Sequence, residues 1–235
     1  MSLPLAILAG GLATRLRPVT ERIPKALLDV AGKPFLVRQL EYLKGQGVER
    51  VVLCIGFLGD QIEAVIGDGS SIGLSVSYSQ DWPLLLGTGG ALRKALPLLD
   101  SSFFVLYGDS YLPINFRAVE QAFVASRKPA LMTVQGNADR WDKSNVLFRE
   151  RQIVEYNKRT PAKNMKHIDY GLGVMSADVL LSEHSAGPFD LADVYHRLST
   201  AGELAGYEVE ERFYEIGSPK GLADAVDYFR AKDRR

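Results

Sequence analysis

Two adjacent glycines followed closely by a hydroxyl and two cations can wrap an anion. The segment Leu8-Ala9-Gly10-Gly11-Leu12-Ala13-Thr14-Arg15-Leu16-Arg17-Pro18 holds that set, and Ile23-Pro24-Lys25 adds a further cation. Glycine lets backbone N–H groups turn toward a ligand without side-chain obstruction, while Thr14, Arg15 and Lys25 offer hydroxyl and charged donors to a polyphosphate. The spacing is neither that of a Walker A loop nor that of the dinucleotide fingerprint, so a P-loop NTPase and an NAD enzyme are both disfavoured. A carboxylate suited to a hard cation stands at the end of the apolar run Phe103-Phe104-Val105-Leu106-Tyr107, in Gly108-Asp109. Ligands of open α/β sheets bind at such strand ends. Mg²⁺ needs only one or two carboxylates besides substrate phosphates. The three histidines, His167, His184 and His196, lack metal-ligand spacing.

These groups need a frame. Strand-length apolar runs, Leu3 to Leu8, Arg50 to Ile55, Leu74 to Ser79 and Phe103 to Tyr107, alternate with helix-period stretches at Pro34 to Gln46, Asp60 to Ile66, Gly89 to Leu96 and Phe116 to Ser126. That alternation predicts an α/β fold with a largely parallel sheet and crossover helices. Ala130 to Val134, Asn145 to Phe148, Ile153 to Tyr156 and Ile168 to Met175 read as strands with few helices between them, as in a small antiparallel lobe. Helical periodicity returns at Leu191 to Ala201 and Pro219 to Lys232, with one or two strands between Tyr207 and Ile216. The 235 residues are expected to form one domain. Its nucleotide-binding part would span about 1–128 and its sugar-binding part about 129–235.

Lys plus Arg number 28, as do Asp plus Glu. No global basic field draws the chain to nucleic acid or to anionic membrane, so phosphate binding must be local. The lone Cys54 lies in an apolar run and reads as a buried small hydrophobe in a reducing, cytoplasmic setting. No basic leader and no membrane-length apolar run is found, so export is not expected.

Taken whole, the loop with the following Pro24-Lys25 and Gly32-Lys33-Pro34 resembles the signature of the sugar-1-phosphate nucleotidylyltransferase family. The resemblance runs over nearly the whole chain; Ala13 departs from it, standing where the family commonly has glycine. It implies a Rossmann-like nucleotidyltransferase fold, α/β, with a mixed, mostly parallel central sheet flanked by helices and a small antiparallel sugar-binding lobe. It implies Mg²⁺ as cofactor, and a nucleoside triphosphate and a sugar 1-phosphate as small-molecule substrates. It assigns Arg15 and Lys25 to catalysis and Leu8, Gly10, Gly11 and Thr14 to the nucleotide. Arg17 and Lys33 are equally well read as a loop ion pair and a turn lysine. Leu86-Gly87-Thr88-Gly89-Gly90-Ala91 resembles the base-recognition turn, which gives Gly87, Thr88 and Gly89 to the nucleotide; Thr88 also suits an N-cap. Gln80 could read a base edge or remain a solvated loop residue. Asp109 matches the metal aspartate. Glu215, in Phe213-Tyr214-Glu215-Ile216-Gly217-Ser218-Pro219, matches the second metal ligand with glutamate for aspartate, or else is a strand-end residue before a helix. Lys158 matches the lysine that holds the sugar phosphate. Asn145, Asp169 and Gly171 could bind sugar hydroxyls or serve structural hydrogen bonds.

A glycosyltransferase is the rival enzyme, but Asp109-Ser110-Tyr111 lacks its second aspartate. A nucleotide-sugar sensor without turnover is the rival outside enzymes, motivated by Ala13 and Glu215. Within the family, the stretch from Asn145 through His167-Ile168-Asp169-Tyr170-Gly171-Leu172-Gly173 is most similar to short bacterial enzymes that make GDP-activated D-glycero-D-manno-heptose. Uridylyltransferases on N-acetylmuramic acid 1-phosphate or glucose 1-phosphate, and mannose-1-phosphate guanylyltransferases, are the alternatives. The sequence leaves oligomeric state open, and no hexapeptide-repeat tail is expected after the last helix.

Overall fold

Arg50–Ile55 reads Arg-Val-Val-Leu-Cys-Ile, and every residue after the arginine is buried, as a strand covered on both faces requires. The computed structural model describes residues 3–185 and 187–234. In chain order the strands are β1 (Leu5–Leu8), β2 (Asp29–Val30), β3 (Lys33–Pro34), β4 (Arg50–Ile55), β5 (Ser75–Gln80), β6 (Ser102–Tyr107), β7 (Ser110–Tyr111), β8 (Ala130–Gly136), β9 (Val146–Arg149), β10 (Gln152–Tyr156), β11 (His167–Ser176), β12 (Leu204–Val209) and β13 (Tyr214–Glu215). The helices are α1 (Phe35–Gly45), α2 (Gly59–Ile66), α3 (Gly87–Ala95), α4 (Phe116–Ser126), α5 (Ala177–Leu181), α6 (Leu191–Thr200) and α7 (Pro219–Asp233).

Among the described residues, a nine-stranded sheet runs in the order β5-β4-β1-β6-β11-β8-β12-β10-β9. β5, β4, β1 and β6 are mutually parallel, each returning through a covering helix. Beyond β6 the sheet turns mixed: β11 is antiparallel to β6 and β8, whereas β12 is parallel to β8. The antiparallel strands expected as a lobe therefore continue the central sheet, with Leu172 paired to Leu106 and Val174 to Phe104. The hairpin of β9 and β10 turns on Glu150 and Arg151, both at positive φ (49° and 61°), which supplies the twist of a tight hairpin without its usual Asn-Gly.

Side chains alternate between two covered faces. Leu5 and Ile7 of β1 meet Leu36, Leu40 and Leu43 of α1, while Ala6 between them packs with Leu92 and Ala95 of α3 on the opposite side. A third cluster, in which Phe35, Tyr111, Ile216 and Phe229 meet, docks α7 beside β13 and β7. Cys54 is buried and unpaired, and burial pushes its thiol up to about 12, so it behaves as a hydrophobe. Among the described residues, no helix is long and apolar enough to cross a membrane.

Candidate active site

The glycine loop begins where β1 ends. Ala9 N–H donates to the Cys54 carbonyl (2.8 Å), tying the loop entrance to β4. A Cβ on Gly10 would stand 3.1 Å from Gly56 N, so the two backbones touch there, whereas the space above Gly11 is open. Glycine at Gly11 thus leaves room for something other than this protein. Ala13, where the family commonly has glycine, takes the glycine-like left-handed conformation (φ 47°), and its carbonyl accepts the Thr20 hydroxyl at 2.8 Å. Such a conformation costs an alanine about 1 kcal/mol.

Leu8, Gly10, Gly11, Lys25, Gly87 and Thr88 border a cavity of about 270 Å³. A second cavity of about 440 Å³ is bordered by Arg15, Asn145, Lys158, Asp169, Gly171 and Glu215. Tyr107 and Asp109 border both. Asp109 gains that place because β6 ends beside β1: Gly108 N–H donates to the Leu8 carbonyl (3.0 Å), and a Cβ on Gly108 would lie 2.8 Å from that oxygen. Lys25, on a short 3₁₀ turn, sets Nζ 2.6 Å from Asp109 Oδ2, and the Ser110 hydroxyl donates to Oδ1 at 3.2 Å. Cation and carboxylate are therefore in contact at the seam of the two cavities.

Glu215 stands across the β13–β7 bridge from Ser110. Its Oε1 accepts the Ser218 hydroxyl (2.6 Å) and its Oε2 the Gly217 N–H, so the longer arm is folded onto the turn that starts α7. A Cβ on Gly217 would lie 2.8 Å from Glu215 Oε2 and 3.2 Å from Asp109 Oδ2. A side chain at this position would therefore crowd both carboxylates. Among the described residues no group of three or more His, Cys, Asp or Glu is poised around a metal. Two carboxylates on the border of one cavity nevertheless fit Mg²⁺, which keeps waters and shares substrate phosphates.

In the larger cavity, a register shift in β11 between Asp169 and Gly173 bulges the strand. Asp169 Oδ1 accepts the Gly171 N–H (3.0 Å). Burial pushes this carboxyl up to about 6, against the opposing pull of that N–H and of Lys158. Asn145 Oδ1 accepts the Asp169 N–H (3.0 Å), so Asn145 braces the bulge.

Three of the residues expected at the nucleotide do not border either cavity. Gln80 does not border either cavity; its neighbour Asp81 does, with Oδ2 accepting the Leu86 N–H (3.0 Å) and Oδ1 buried without a partner among the described residues. A strand alternates its side chains, so a one-residue shift at the end of β5 exchanges one face for the other. Gly89 is a packing glycine: its N–H donates to the Phe189 carbonyl (3.0 Å), and a Cβ would strike the Phe189 ring. Thr14 is exposed and borders neither cavity. Thr88 borders the smaller cavity but also accepts the Leu191 N–H through its hydroxyl (2.8 Å), capping α6 rather than its own helix. Arg15 borders the larger cavity. The sequence reading missed Asp81, Tyr156, Trp141 and Arg212, which also border the two cavities. Only the run of aromatics around Arg212 signals any of them.

Comparison with known proteins bears on this site. The profile of a family described as nucleotidyl transferase matches residues 5–144. An N-acetylmuramate alpha-1-phosphate uridylyltransferase of Neisseria meningitidis is 44% identical over 116 residues, which is 49% of this chain and 50% of that protein. A D-glycero-alpha-D-manno-heptose 1-phosphate guanylyltransferase of Campylobacter jejuni is 29% identical over 91% of this chain and 94% of its own length. The crystal structure of HddC from Yersinia pseudotuberculosis superposes with a TM-score of 0.81 at 25% identity, covering 97% of this chain and 99% of that one.

Proposed function

The chain belongs to the nucleotidyl transferase family, and we propose that it joins a nucleoside triphosphate to a sugar 1-phosphate and releases pyrophosphate. The observation that carries this reading is the Lys25–Asp109 pair at the shared border of two cavities, one floored by a bare glycine loop and one bordered by Lys158. Two anionic substrates that must meet at one phosphorus require that layout.

An oxygen of the sugar phosphate attacks the α-phosphorus in line, the new P–O bond forms, and the bond to the β-phosphate breaks with pyrophosphate carrying away the electron pair. A phosphate monoester has its second pKa near ~6 and is already largely dianionic at neutral pH, so no general base is needed. The protein relieves repulsion instead. Lys25 turns from Asp109 to the triphosphate, Lys158 holds the sugar phosphate, and Arg15 offers its planar fork to phosphate oxygens near the seam. Bound Mg²⁺, held by Asp109 with Glu215 beside it, would neutralise the triphosphate charge.

For the substrates we favour GTP and D-glycero-D-manno-heptose 1-phosphate, supported by the near full-length match to the Campylobacter jejuni guanylyltransferase. A uridylyl reading has its own support in the 44% identity, over half the chain, to an N-acetylmuramate 1-phosphate enzyme. A matrix of four nucleoside triphosphates against a panel of sugar 1-phosphates, read as pyrophosphate release, decides between them. Full activity of Asp109→Ala in the productive pairing would refute the assigned chemistry.

A further inference from the structure

We propose that Arg212, clasped between Trp141 and Tyr214, reads the sugar beyond its phosphate and selects a neutral sugar with a polyhydroxyl side chain; this rests on the transferase reading above. The Arg212 Cζ lies 4.2 Å from the Trp141 ring centroid and 5.0 Å from that of Tyr214. Its Nη2 donates to Asp224 Oδ2 (2.5 Å), and its buried Nε meets no acceptor among the described residues. The guanidinium is thus flanked by two rings and paired with Asp224, yet its side chain remains 37% exposed.

The wall is built rather than incidental. Trp141 is presented by the segment from Asn137 to Ser144, whose polar groups close on one another. Asn137 Nδ2 donates to the Asp142 carbonyl (2.7 Å), Asn137 Oδ1 accepts the Trp141 N–H (3.1 Å), and Asp139 Oδ1 accepts the Ser144 N–H (2.8 Å). Arg212 and Trp141 border the larger cavity and also a neighbouring groove that Asp109 does not reach, so they form the cavity's outer side.

A donor beside an acceptor, Arg212 with Asp224, matches hydroxyls, each of which both donates and accepts. Trp141, 38% exposed on the cavity border, offers apolar ring surface to the C–H edge of a polyol chain. An acidic substituent gains little at Arg212, because Asp224 already offsets that charge.

The test uses the full-length protein and compares three sugar 1-phosphates: a heptose, mannose as its shortened analogue, and N-acetylmuramic acid. Arg212→Met should raise KM for the heptose about 10- to 100-fold, the loss expected for a hydrogen bond to a charged group. The shift should be far smaller for mannose and smallest for the triphosphate. Trp141→Leu, at a side chain that faces solvent in part, should give the same sugar-selective pattern and carries the test if Arg212→Met does not fold. Preference for the acidic sugar, or equal losses for all sugars, overturns the proposal. Absence of pyrophosphate from every wild-type pairing instead refutes the transferase reading on which it rests.

Discussion

Replacing Lys25 by methionine separates two effects of one ammonium group. In the free protein it sits 2.6 Å from Asp109 Oδ2 with side-chain exposures of 24% and 29%, so it competes with any divalent ion for that oxygen. A hydrogen bond to a charged partner nets about 1.5–3 kcal/mol. At about 1.4 kcal/mol per tenfold, removing the competitor should tighten metal binding by about 10- to 100-fold. Water still reaches both side chains, which favours the lower figure. Methionine keeps most of the stem's length and packing without its charge. Titration of nucleotide-free protein with Mn²⁺, followed by electron paramagnetic resonance, should therefore give a Kd about tenfold lower in Lys25→Met. Turnover of the same variant should fall about 10²- to 10³-fold, because a positioned phosphate cation is lost. Tighter metal with slower chemistry is the signature, and Asp109→Asn should abolish the binding. Unchanged or weaker Mn²⁺ affinity in Lys25→Met would refute the reasoning, since Asp109 would then not be the oxygen at stake.

Thr88→Val removes the acceptor of the Leu191 N–H and should cost about 1 kcal/mol in urea unfolding, with no loss expected if the cap is incidental. Gly87→Ala places a methyl 2.5 Å from the Phe189 carbonyl at φ +73°. It should lose at least about 2 kcal/mol by the same measurement, and a loss under about 0.5 kcal/mol would mean that the α3 entrance yields freely. Asp169 is raised to about 6 when folded. The folded state then holds a proton that the unfolded chain has released, so this residue's contribution to stability falls as pH rises from the ordinary carboxylate value to about 6 and is flat above. Asp169→Asn should erase that decline, and unfolding midpoints at pH 4, 5, 6 and 7 that run parallel for both proteins would contradict it.

The first-half elements were legible because periodicity there is unbroken. The run from Val51 to Ile55 reads as a strand and is one buried on both faces, and Phe116–Ser126 is the helix its spacing predicts. Leu8, Gly10, Gly11, Lys25 and Asp109 fall together because each abuts the end of β1 or β6 or the turn beside them, and strand ends are visible as apolar runs meeting glycine. Gln80 and Asp81 could not be told apart, since their order decides only which face each one meets. Gly89 looked like a ligand group, and the bond from Leu191 to Thr88 stayed hidden, because the Phe189–Leu191 segment lies about a hundred residues away. A sequence separation of about seventy residues likewise hid the stacking of Trp141 on Arg212. The fold of Glu215 onto its own turn depends on one extra methylene and its local hydrogen bonds, which residue type alone does not specify.

β6 has β1 parallel on one side and β11 antiparallel on the other, and the chain leaves its end through Gly108 to Asp109. One strand is thus a spine to which two differently wired flanks are hydrogen-bonded. On the transferase reading proposed above, exchanging the β11 flank should transplant sugar preference and leave the glycine loop on the β1 flank whole, provided the donor segment keeps the pairing of Leu172 with Leu106. A chimaera cut elsewhere would have to rebuild the ladder that aims the shared carboxylate.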